Sequence, residues 1–228
     1  MGRKFAEIAF TPSVKAAQQH YGSRAANQAF ENARNPRDTL TETEAAFIKA
    51  RDGFYLATVS ESGWPYVQFR GGPPGFLKVL DPDTIGYPDF AGNAQYLSVG
   101  NMAADDRASL ILLDYANRRR LKIWARARVV DEADDPTLIR RLTVPDYPAQ
   151  VERAVIMTIV AFDWNCPRHI TPRFTAAEIA GGAASHRTQA AGPPSDRAHA
   201  GHGSCTDAPG RSTRRPPGNP PRPTVRET

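Results

Sequence analysis

The chain has 228 residues, two cysteines and a formal net charge of +5. Two cysteines rule out a disulfide framework and suit a reducing, cytoplasmic compartment. Residues 181–228 hold seven Arg against three acids, so the tail carries +4 and the body +1, which leaves the body no footprint for specific nucleic-acid binding.

Met1-Gly2-Arg3-Lys4-Phe5 leads into no long apolar stretch, so no secretory signal is expected. Thr11-Pro12 is a helix start, with a capping Thr followed by Pro, and residues 14–21 read as the helix. Residues 22–40 are polar and mixed, and no element can be placed in them. Thr41 and Glu44 have capping-box spacing and predict a helix to about Ala50, stopped by Gly53.

A β section follows. Residues 55–60 and 66–70 read as a hairpin around a short polar turn containing Gly63. Residues 76–80 and 84–87 read as strands separated by Asp81-Pro82-Asp83, and 93–104 as a short helix or turn. The apolar run 108–113 fits a strand buried on both faces. In 119–130, Leu121, Ile123, Ala125, Ala127 and Val129 alternate with Arg120, Lys122, Trp124, Arg126 and Arg128. Asp135-Pro136 starts another helix. Residues 154–163 read as the last strand, and their apolar run is far shorter than the roughly 20 residues that span a bilayer. Six or so strands with flanking helices predict a mainly β, barrel-like α+β domain. The tail after Ala180 has eight Pro, no aromatic residue and one large aliphatic, Val225, so it is expected to be disordered.

Gln68 and Arg70 share one face of a strand, and Arg70 stands at the bend Gly71-Gly72-Pro73-Pro74-Gly75. A guanidinium beside accessible backbone amides is a common phosphate grip. The plain alternative is a solvated strand arginine. Arg118-Arg119-Arg120 likewise reads as a solvated run, although Arg120 lies opposite the core-facing Leu121. Cys166 and His169 have metal-ligand spacing, but no second pair lies in the body, so no metal site is expected. No nucleophile–base set can be assigned, and catalytic residues stay unknown.

Three stretches resemble the pyridoxamine 5′-phosphate oxidase-like family of split-barrel flavoproteins: residues 66–81, residues 92–101 and residues 118–130. Asn165-Cys166-Pro167-Arg168-His169-Ile170 adds a further likeness, and the resemblance covers roughly residues 40–180. It implies a six-stranded split β-barrel, a homodimer and FMN bound at the dimer interface. It also implies cofactor contacts at Gln68, Arg70, Gly71, Lys78, Ser98, Asn101, Arg119 and Arg120. Arg70 and Arg120 are then expected on the phosphate or its neighbouring polar groups, and Asn101 on the flavin.

The true pyridoxamine phosphate oxidases carry an Arg–aliphatic–Lys run at the glycine bend and an Arg-Lys pair near Leu97 and Ser98. Both are absent here, so the resemblance implies a separate branch. The expected organisation is a helical arm (1–40), an FMN-binding barrel (41–180) and the tail (181–228). The expected function is an FMN-dependent oxidoreductase acting on a small molecule, with a nicotinamide as possible electron donor and no membrane partner. The alternative is a non-catalytic flavin carrier or sensor.

Overall fold

The computed structural model describes residues 3–32, 39–164 and 166–185. The chain divides into two units, Met1–Gly181 and Gly182–Thr228. All strands among the described residues lie in the first. The tail expected to be disordered begins at residue 181, but a helix runs from Ala176 to Ser185, so its first five residues are corrected to helix. The rest, residues 186–228, lies outside the described residues.

Four helices precede the strands: α1 (Arg3–Ala9), α2 (Pro12–His20), α3 (Arg24–Glu31) and α4 (Glu42–Lys49). Then come β1 (Gly53–Val59), β2 (Pro65–Gly71), β3 (Lys78–Asp81) and β4 (Thr84–Phe90). After α5 (Leu97–Ala104) follow β5 (Arg107–Asp114), β6 (Arg119–Asp131), α6 (Pro136–Leu142), β7 (Val151–Trp164) and α7 (Ala176–Ser185). Among the described residues no helix is long and apolar enough to cross a membrane.

The seven strands form one antiparallel sheet in the order β2-β1-β5-β6-β7-β4-β3. The expected six strands are thus corrected to seven. The short one is β3, because Phe76 and Leu77, read as its first residues, turn into the core instead. Phe76 donates its backbone N–H to the Pro73 carbonyl and stacks on Phe54. The sheet curls until β2 faces β4. These two strands exchange no ladder hydrogen bonds and are joined by side chains, notably Arg70 and Asp89 at 2.7 Å. The gap between them makes this a split barrel.

Alternation along the strands fills the barrel. Phe54 and Leu56 of β1, Leu110 and Leu112 of β5, and Leu121 and Ile123 of β6 are buried. Register sets Phe54 beside Leu112 and Leu112 beside Leu121, so one apolar row crosses three strands. The row also fixes the sense of β2. Arg70 pairs with Phe54 and Gln68 with Leu56, so both polar side chains face inward.

The capping box forms as its spacing predicts: the Thr41 hydroxyl accepts from the Thr43 N–H, and Glu44 accepts from the Thr41 N–H at 3.0 Å. The other Glu44 oxygen accepts from Trp164 Nε1 at 2.7 Å, tying the helix start to the end of β7. Burial alone would push the Glu44 carboxyl up. The hydrogen bonds from Thr41 and Trp164 outweigh it and hold the carboxyl below its ordinary range. The N-terminal arm caps the outer face of β6, where Phe5 stacks on Trp124 at 4.4 Å and Lys122 lies over the Phe5 ring. Within the arm, Glu31 binds both Lys15 and Arg24.

Candidate functional site

A cavity of about 220 Å³ opens at the seam between β2 and β4. Tyr66, Gln68 and Arg70 line it from β2, Asp89 and Phe90 from β4, and residues 92–97 close one side. That loop bends sharply: Ala94 and Tyr96 have φ of 57° and 51°, in the left-handed region that non-glycine residues rarely adopt. Such conformations persist only where the surroundings hold them, and they cluster at binding sites. The first turn of α5 starts here. Ser98 donates its hydroxyl to Gln68 Oε1 at 2.9 Å, and Asn101 donates to Thr58 Oγ1 at 3.0 Å. These two bonds pin the helix to the β1–β2 hairpin.

The far wall comes from β7. Asp89 pairs with Arg153, but the next pair is Phe90 with Val151, so Glu152 is the extra residue of a β-bulge. In a regular strand Glu152 and Arg153 would point to opposite faces. The bulge lets both line the cavity. Arg153 donates to Asp89 Oδ2 at 3.1 Å and lies 4.8 Å over the Tyr96 ring. Arg70 donates to Asp89 Oδ1 from Nη1, while its Nε is sealed from solvent and has no partner. Below it, Tyr87 is fully buried, and burial pushes its hydroxyl well above the ordinary tyrosine range. The Tyr87 hydroxyl is also without a partner. Unpartnered buried donors of this kind call for an explanation, and a ligand is one.

Of the residues expected to contact a cofactor, the structure gathers Gln68, Arg70 and Ser98 here, with Asn101 in the adjoining hollow beside Ser60 and Tyr96. Gly71 serves packing. A Cβ there would sit 2.9 Å from the Phe69 ring, and one on its partner Gly53 would sit 2.3 Å from it. Lys78 lies elsewhere, donating to the carbonyls of Arg141 at 2.8 Å and Thr143 at 3.2 Å at the end of α6. Burial, with Arg141 nearby, lowers its pKa. Arg119 stacks over Phe47 and Trp164.

Arg120 pairs with Leu113 on the face opposite the core row. It is three strands from β2, about 14 Å across the sheet at the usual strand spacing. In one chain Arg70 and Arg120 therefore do not grip the same phosphate. Among the described residues no group of three or more His, Cys, Asp or Glu side chains could hold a metal.

Three charged members of the site were not anticipated. Asp89 is legible in principle, two residues beyond Tyr87 on the same strand face. Arg153 and Glu152 are not, since only the bulge and the long-range register bring them in.

Similar folds occur among solved structures. A candidate pyridoxamine 5′-phosphate oxidase from Lactobacillus delbrueckii is 24% identical, covering 55% of this chain and 94% of its own, with a TM-score of 0.44. A protein from Clostridium acetobutylicum related to general stress protein 26 is 14% identical, covering 60% and 94%, with a TM-score of 0.41. An FMN-binding protein from Syntrophomonas wolfei is 13% identical, covering 68% and 97%, with a TM-score of 0.39. No curated protein matches the chain. The model of the pyridoxamine 5′-phosphate oxidase family matches residues 40–161, from just before α4 through most of β7 and including the whole β2–β4 seam. The chain belongs to the pyridoxamine 5′-phosphate oxidase family.

Proposed function

We propose that this protein binds FMN with its phosphate end in the seam cavity, and that the flavoprotein is an oxidoreductase acting on a small molecule in the cytoplasm. The observation that carries the reading is Arg70: an inward-facing guanidinium at a cavity wall whose Nε is buried and without a partner. A phosphate oxygen supplies what that donor lacks. Gln68 accepts from Ser98 through its carbonyl, which leaves its amide group to donate into the cavity. The exposed loop 92–95 adds the amides of Asn93 and Gln95. Bound FMN supplies the redox chemistry, and the protein supplies binding, orientation and access.

A cavity of about 220 Å³ is small for a whole cofactor, since ligand sites usually span about 300–1,000 Å³. The outer face of the same hairpin supports a second copy as the missing wall. Val67 and Phe69 are 59% and 58% exposed, Tyr55 lies edge-on to Phe69, and β2 is an unpaired sheet edge. An exposed apolar patch beside an open edge is a typical association surface. A homodimer is therefore part of the reading.

Reduced nicotinamide is expected to bleach the flavin absorbance of the loaded protein under anaerobic conditions, directly or through a reductase. Stopped-flow absorbance reads this. Reduction by dithionite but by no nicotinamide donor or partner reductase would make the protein a flavin carrier or sensor instead.

A further inference from the structure

One buried carboxylate holds two arginines that come from different parts of the sheet. Asp89 is 3% exposed and accepts from Arg70 at 2.7 Å through Oδ1 and from Arg153 at 3.1 Å through Oδ2. It is an anion already seated where an anionic ligand would bind. The two arginines differ in what else they have. Arg153 also pairs with Glu152 at 3.0 Å and lies 3.8 Å from Asp131. Arg70 has no second acidic partner among the described residues. Asp89 can therefore release Arg70 and keep Arg153, so the exchange strands no buried charge.

We propose that Asp89 is the specificity-determining residue of the seam cavity, an internal counter-anion that a ligand must displace from Arg70. The inference takes the ligand's phosphate end from the function proposed above, and it adds what that end must overcome. A singly charged carboxylate merely matches Asp89 and gains nothing by replacing it. A phosphate monoester carries more charge, about −1.5 to −2 near neutral pH, and three acceptor oxygens. One oxygen takes the Nη1 group that Asp89 gives up, and the others are left to the Gln68 amide and the loop 92–95. The cavity thereby selects phosphate monoesters over carboxylates of similar size. The fixed charges around it, Arg70 and Arg153 against Asp89 and Glu152, otherwise balance.

The test uses the full-length protein, with inorganic phosphate and acetate as probes and calorimetry as the readout. Wild-type protein is expected to bind phosphate in preference to acetate. Asp89→Asn removes the competing charge and should tighten phosphate by about tenfold or more while admitting acetate. Unchanged affinities for both anions in Asp89→Asn overturn the proposal. If that variant does not fold, nitrogen-detected NMR of wild-type protein serves, with Arg70→Lys to assign the signals. Phosphate should move the Arg70 Nε–H resonance and leave that of Arg153 in place, and the reverse pattern overturns the proposal. FMN separates the two readings. Equal FMN affinity in wild type and Asp89→Asn defeats the role of Asp89 and leaves FMN binding intact. No FMN binding by either protein, with the phosphate results as expected, defeats the cofactor and leaves Asp89 in its role.

Discussion

Arg70→Ala is expected to weaken FMN about ten- to a hundred-fold in an equilibrium titration. A hydrogen bond to a charged group typically contributes about 1.5–3 kcal/mol, and each 1.4 kcal/mol is about tenfold in affinity. The substitution removes both the Nε donor and the Nη group engaged with Asp89. Loss of an ion-pair partner from a buried carboxylate is usually costly, but Asp89 keeps Arg153, so the fold should survive. Arg128→Ala is the control. Arg128 is exposed on β6, opposite Ile156 and away from the seam, and its loss should leave affinity unchanged. Equal retention of FMN by the two variants would return Arg70 to a bland seam contact.

Phe69→Glu is expected to turn the proposed dimer into a monomer without unfolding the chain. The ring lies on the outer face over Gly53 and Gly71 and outside the barrel core, so the core should not register its loss. Burying a phenylalanine contributes about 1.5–3 kcal/mol, and a two-fold interface uses it twice. The dimer dissociation constant should therefore rise by about a hundred-fold at least, before repulsion between the two new carboxylates is added. Sedimentation velocity at micromolar protein reads this directly. Bound flavin should fall with the proposed dimer, because a cavity of about 220 Å³ is too small to enclose a whole FMN in one chain. A variant that stays dimeric places the interface elsewhere. A wild-type protein that holds flavin as a monomer removes the dimer from the account.

How much of this was legible depended on the range of the interaction. The capping box at Thr41 and Glu44 and the hairpin around Gly63 are local, and both form where their residues predict. The strict alternation of 119–130 is also local, and β6 buries Leu121 and Ile123 as that pattern requires. Parity alone put Gln68 and Arg70 on one face, and the structure keeps them there. Three helices escaped, α1, α3 and α7. α1 and α3 are seven and eight residues long, about two turns each, which is shorter than the window of roughly 11 residues over which a helical period can be read. α7, rich in Ala and Gly, was not read at all. The Trp124 ring, read as part of a polar face, instead receives Phe5 from the arm.

The acidic half of the site escaped for a different reason. Asp89 meets Arg70 only because the curled sheet brings its ends together, and Arg153 meets Asp89 only through pairing of β4 with β7. A one-residue bulge decides that Glu152 joins them. None of these is a property of a short window. Arg120, by contrast, was paired with Arg70 through the family resemblance and strand parity, and strand order separates them by two intervening strands.

The visible absorbance spectrum of the full-length protein after reconstitution with FMN and removal of free cofactor tests the central claim most directly. The account predicts the bands of bound oxidised flavin at about one per chain, and their loss in Arg70→Ala but not in Arg128→Ala. A colourless protein under these conditions, folded and dimeric by other measures, would contradict it.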